Sequence, residues 1–130
     1  MKVEVLDKYD LISFITDKSF NINYSKQSRD EIREILQSNS DYQFKKIISP
    51  RQTHTNNVVV INEDNLDNEL YDVDGVITNL KGVALTIATA DCQSIILYDK
   101  EKKVIGNIHS GWKGTLNKIL SNGINLMIEE

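Results

Sequence analysis

The chain has 130 residues, 40% hydrophobic and 26% charged, and its 15 Lys and Arg against 19 Asp and Glu leave a net charge of −4. This length fits one domain, residues 1–130, and a single Pro with six Gly excludes collagen-like or Pro-rich sequence and long disorder. The acidic balance without a Lys/Arg run excludes the clustered cations that nucleic-acid binding draws on.

In chain order, β-branched runs bounded by turn residues predict strands at 2–6 and 11–16. The first twenty residues mix apolar and charged positions, unlike a signal peptide, and no window approaches the ~20 apolar residues of a membrane-spanning helix. The expectation is a cytoplasmic protein without a membrane partner. Residues 28–37 carry helical period, with Ile32, Ile35 and Leu36 on one face and Ser28 with Glu31 as a capping box.

Strands follow at 45–49 and 57–62, and then an acidic, Asn-rich stretch from Asn62 to Asp74 reads as a solvated connection. Further strands are predicted at 75–78, 83–89, 94–98 and 104–108. The run from Val83 to Tyr98 suggests two buried strands meeting at a tight polar turn. A last helix at 115–129 sets Leu116, Ile119, Leu120, Ile124, Met127 and Ile128 on an apolar stripe, with Gly123 in its interior at a cost of about 1 kcal/mol. Strand content is expected to exceed helix content.

The chain has two histidines and one cysteine, so no internal disulfide forms and nothing calls for an oxidising compartment. All three fall in polar segments beside apolar strands. If one sheet brings these corners together, His54, Cys92 and His109 offer two imidazoles and a thiolate, a donor set that suits Zn²⁺ and leaves a fourth tetrahedral position open. The same residues also fit a metal-free hydrolase, with Cys92 as nucleophile and His109 as base. A lone Cys between apolar strands is commonly a small buried hydrophobe, and spacing does not separate these readings. Asp74 and Asp91 are placed to orient a ligand histidine or to take a proton from bound water, although Asp74 before Gly75 also reads as a turn residue. Arg51 and Lys113 stand near the two histidines and suit an anionic group such as phosphate.

Gln52-x-His54 with Asn57-Val58-Val59, then Asp74-Gly75-Val76-Ile77-Thr78, Thr89-Ala90-Asp91-Cys92 and His109-Ser110-Gly111-Trp112-Lys113-Gly114 resemble the YfiH-like family. That family is also labelled multicopper polyphenol oxidase or laccase-domain, and its members are described as purine nucleoside phosphorylases with adenosine deaminase activity. The resemblance runs from about Ser13 to the end of the chain. It implies a mixed α/β (α+β) fold, a layered mixed sheet with flanking helices, of which this chain covers the N-terminal half to two-thirds. It implies that His54, Cys92 and His109 are both the metal-binding and the catalytic positions. Arg51, Gln52, Asp74, Asp91 and Lys113 become the candidates for contacts with substrate or phosphate.

Zn²⁺ is the expected metal; copper stands in the older labels, but a multicopper oxidase centre needs many more histidines than two. The expected small-molecule partners are purine nucleosides (adenosine, inosine, methylthioadenosine) and phosphate, and the expected protein partner is a complementary C-terminal chain or a second copy. Two departures stand out. Ile15-Thr16-Asp17-Lys18 replaces a family Ser-Thr-Arg-x-Gly-Gly segment, and Lys113 replaces the common Arg, keeping charge without bidentate geometry.

Overall fold

The computed structural model describes residues 3–4, 13–16, 22–23, 26–38, 43–89, 93–110 and 116–129. They divide into two compact units, Met1–Gln43 and Phe44–Glu130.

In the first unit, β1 (Val3–Glu4) pairs antiparallel with β2 (Phe14–Ile15), and α1 spans Arg29–Ser38. The α1 cap forms as the sequence predicts: the Glu31 N–H donates to Ser28 Oγ at 3.1 Å, occupying one of the four N–H groups a helix start leaves unpaired. The Glu31 carboxylate accepts from the Ser28 hydroxyl at 3.3 Å. Ile32 and Leu36, one turn apart, are buried.

The second unit holds β3 (Lys46–Ile48), β4 (Val58–Ile61), β5 (Gly75–Thr78), β6 (Val83–Leu85), β7 (Gln93–Asp99), β8 (Val104–Ser110) and α2 (Leu116–Glu129). A parallel pair, β3 with β6, stands apart from a four-stranded sheet in the order β4-β5-β8-β7. In that sheet β4 runs parallel to β5, while β8 is antiparallel to both β5 and β7. α2 packs on β8, β5 and β4.

The central strand β5 is buried along its whole length, as a strand covered on both faces must be. Val76 joins a core cluster with Ile48, Ile61, Leu66, Val73 and Val83, whereas Ile77, the next residue, joins Val104 and Met127 in another. Burying each such side chain favours folding by roughly 1.5–3 kcal/mol. Among the described residues, strand outweighs helix, and no helix is long and apolar enough to cross a membrane.

Three expectations need correction. The strand predicted at 83–89 stops at Leu85, one residue before Thr86, whose N–H and hydroxyl both donate to the Ile48 carbonyl, at 2.9 and 2.8 Å. β6 and β7 are not partners across a tight turn, since they belong to different sheets. The stretch from Asn62 to Asp74 is only partly solvated: Leu66, Val73 and Asp74 are buried. Its start is held by Asn62 Oδ1, which accepts from the N–H groups of Asp64 and Asn65 at 2.9 and 3.1 Å.

Candidate active site

Sheet register brings distant polar residues to one end of the four-stranded sheet. Gly75 faces Ile108 across the β5–β8 ladder, so Asp74 lies beside His109, whose N–H donates to the Asp74 carbonyl at 2.6 Å. β8 runs two residues further than the predicted strand and carries His109 and Ser110 within it. On the other side, the Asn57 carbonyl accepts from the N–H groups of Asp74 and Gly75 at 3.0 and 3.2 Å, which lays the segment before β4 against the start of β5. β7 starts at the same end, with Gln93 opposite Ser110 and Ser94 opposite His109.

Asp74 is the centre of this end and is 0% exposed. Its Oδ1 accepts from the Thr53 N–H at 3.1 Å, the Thr55 N–H at 2.9 Å and the Thr55 hydroxyl at 2.8 Å. Its Oδ2 accepts from the His54 N–H at 3.1 Å and lies 2.7 Å from His109 Nδ1. Burial alone raises the carboxyl pKa. The Thr55 N–H, the His109 ring, the Thr55 hydroxyl and the Thr53 N–H together outweigh burial, so the group sits below its ordinary value and is a carboxylate. Facing a carboxylate, His109 Nδ1 is the donor of this bond.

His54 adopts φ 64°, a left-handed conformation unusual outside Gly and Asn. Three successive N–H groups turned onto one carboxylate hold it there. The His54 and His109 ring centroids are 5.1 Å apart with planes at 61°. Two imidazoles bound to one tetrahedral ion through nitrogens ~2.0–2.1 Å from it have centroids roughly 5 Å apart, a spacing this pair shares with any edge-to-face ring contact. Among the described residues no set of three His, Cys, Asp or Glu forms a metal site.

Cys92, Asp91 and Lys113 lie outside the described residues. Gln52, a candidate for substrate contact, pairs with the backbone of Ala88. Its Nε2 donates to the Ala88 carbonyl and its Oε1 accepts the Ala88 N–H, both at 2.7 Å, so the amide is spent on the backbone. Asp74, expected among substrate contacts, is likewise turned inward and fully engaged. Arg51 lies with its guanidinium carbon 5.6 Å from the centre of the exposed Tyr71 ring.

Thr53, Thr55 and Asp72 were not singled out by sequence reasoning. Thr53 donates its hydroxyl to Asp72 Oδ1 at 2.9 Å, and Thr55 donates to Asp74. The Thr-His-Thr alternation around His54 is the signal that would have found the two threonines. A cleft of about 580 Å³ is lined by residues including Asn56, Asn57, Tyr71, Asp72, Asn122 and Asn125, and by neither histidine.

Residues 15–130 match the family model described as multi-copper polyphenol oxidoreductase laccase. The chain belongs to this laccase family. Within it, the chain is 33% identical over 142 residues to a purine nucleoside phosphorylase of Clostridium acetobutylicum, an alignment covering 100% of the chain and 57% of the relative. It is 36% identical over 80 residues to an adenosine deaminase from an unknown prokaryotic organism, covering 56% of the chain and 30% of that protein. The solved structure of the Bacillus licheniformis hypothetical protein YfiH superposes with a TM-score of 0.64 at 23% identity, over 75% of the chain and 39% of that protein. The laccase-family fold expected from the motifs is therefore present in part, and the chain spans about half the length of the curated relatives it matches.

Proposed function

We propose that the chain is a zinc-dependent purine nucleoside phosphorylase with adenosine deaminase activity. The observation that carries this reading is the convergence of His54 and His109 on Asp74 at one end of the sheet. The names of the clostridial phosphorylase and the prokaryotic deaminase support it.

His54, His109 and Cys92 would hold the metal, which when bound supplies Lewis acidity at its open position. The chain's own residues do the rest. Asp74 keeps the His109 proton on Nδ1 and directs Nε2 outward. Arg51, exposed beside the His54 segment, offsets the charge of an incoming phosphate, as does Lys113 in the sequence reading.

A second reading draws on length. The chain covers 57% of the clostridial relative, and α2 leaves Ile124 and Ile128 42% and 65% exposed. In this reading the chain is the metal-bearing part and turns over substrate only with a complementary C-terminal chain.

The test is to incubate the purified chain, zinc-loaded or chelated, with adenosine, inosine or methylthioadenosine, with and without phosphate, and to follow free base and inosine by chromatography. Zinc-dependent turnover is expected. About one zinc per chain with no turnover until a segment matching the rest of the clostridial protein is added would select the second reading; unchanged turnover after full chelation would select a Cys-His hydrolase.

Ligand variants rank the donors. Cys92→Ala is expected to weaken zinc binding more than His54→Ala, because the thiolate brings formal charge to a site whose other donors are neutral. Cys92→Ser should fail nearly as badly, its hydroxyl staying protonated. Zinc titration of the three variants checks the order, and wild-type affinity in Cys92→Ser would remove Cys92 from the ligand set.

A further inference from the structure

We infer that Asp74 is a positioning residue for both histidines: one carboxylate turns the His54 segment inward and fixes the proton of His109 on Nδ1. The inference rests on the metal-site reading, and it adds what holds the two histidines side by side. Asp74 itself is fully buried and does not reach solvent.

A single atom makes the connection. Oδ2 accepts the His54 N–H at 3.1 Å and meets His109 Nδ1 at 2.7 Å, while Oδ1 takes the three donors of Thr53 and Thr55. Every group facing the carboxylate is a donor, which selects an anion acceptor and leaves the imidazole no choice of tautomer. A neutral imidazole protonated on Nε2 would set one lone pair against another and would point an N–H where a ligand nitrogen has to be.

Asp74→Asn tests this with almost no change of shape. The Asn oxygen satisfies most donors at the Oδ1 position, where three converge, and its NH₂ then faces His109 Nδ1. The ring answers by moving its proton to Nε2. Outer partners of this kind commonly change metal affinity by about 10–100-fold when replaced.

The readout is the ¹⁵N spectrum of the imidazoles in the metal-free full chain at mildly alkaline pH. The chain has two histidines, so His54→Ala assigns the signals. Wild type is expected to show a pyrrole-like Nδ1 and a pyridine-like Nε2 for His109; Asp74→Asn should exchange them and weaken zinc binding about 10–100-fold. Thr55→Val, which removes only the hydroxyl on Oδ1, should lower the thermal midpoint and keep the wild-type pattern. The inference is overturned if wild-type His109 carries its proton on Nε2, or if folded Asp74→Asn keeps the wild-type pattern. Should Asp74→Asn fail to fold, the wild-type and Thr55→Val spectra decide. A wild-type chain with the Nδ1–H pattern and no zinc binding would sink the metal reading while leaving the positioning role standing.

Discussion

Asp74→Ala is expected to destabilise the Phe44–Glu130 unit by about 3 kcal/mol, since each buried donor left without an acceptor costs roughly 1–3 kcal/mol. Four residues' worth of structure turns on this side chain: it receives the N–H groups of Thr53, His54 and Thr55, the Thr55 hydroxyl and the His109 ring. Water entering the vacated space can satisfy the more exposed Thr53 and His54, which keeps the loss well below the sum over all five donors. Urea unfolding of wild type and variant measures the difference. The sign of its pH dependence follows from the lowered pKa. A carboxyl held below its ordinary 3.8 contributes fully above that value and loses its contribution as pH falls through the lower folded value. The gap between wild type and Asp74→Ala should therefore be constant near neutrality and narrow only in strong acid. A gap near zero at neutral pH would mean that the loop holds itself.

Gly123→Val is expected to cost about 3 kcal/mol, the upper end of what overpacking takes from a filled core. A Cβ at Gly123 would lie 2.5 Å from Ile108 Cδ1, the tip of a side chain that is 0% exposed, so that tip has to rotate away within the core. The glycine inside α2 is thus a contact requirement of the helix on β8. A background change reverses the sign. Ile108→Val removes Cδ1 and leaves neighbours at 3.7 and 3.8 Å, ordinary contact distances. In that background Gly123→Ala should stabilise, by up to the ~1 kcal/mol of helix propensity that glycine forfeits, whereas in wild type it should destabilise. Four thermal midpoints complete the cycle, and additive effects would refute the contact.

The order of the elements was legible because each rests on local chemistry. The Ser28 cap, the stripe of α2 and the apolar runs of β4, β5 and β8 are patterns within a few residues of one another. What was not legible depends on partners far along the chain. Nothing near Thr86 says that its N–H and hydroxyl go to Ile48, or that Ala88 is met by a side chain 36 residues away. Asp74 before Gly75 looks like a turn residue until the β5–β8 register sets it beside His109. Conversely, His54 and His109 were chosen for their chemistry, their place beside apolar strands and the family motifs, and the shared end of the sheet explains why side chains 55 positions apart in number lie with rings 5.1 Å apart. Gln52 was chosen with them for its place in a motif, and its task proved to be backbone pairing.

That pairing couples two pieces of chain that run on from the paired strands β3 and β6. The Gln52 amide closes on Ala88 with the two bonds of a missing strand neighbour, so the end of the β6 segment and the segment carrying His54 share one latch. The amide proton of Ala88, outside any strand, exchanges with solvent only when the Gln52 side chain lets go of it.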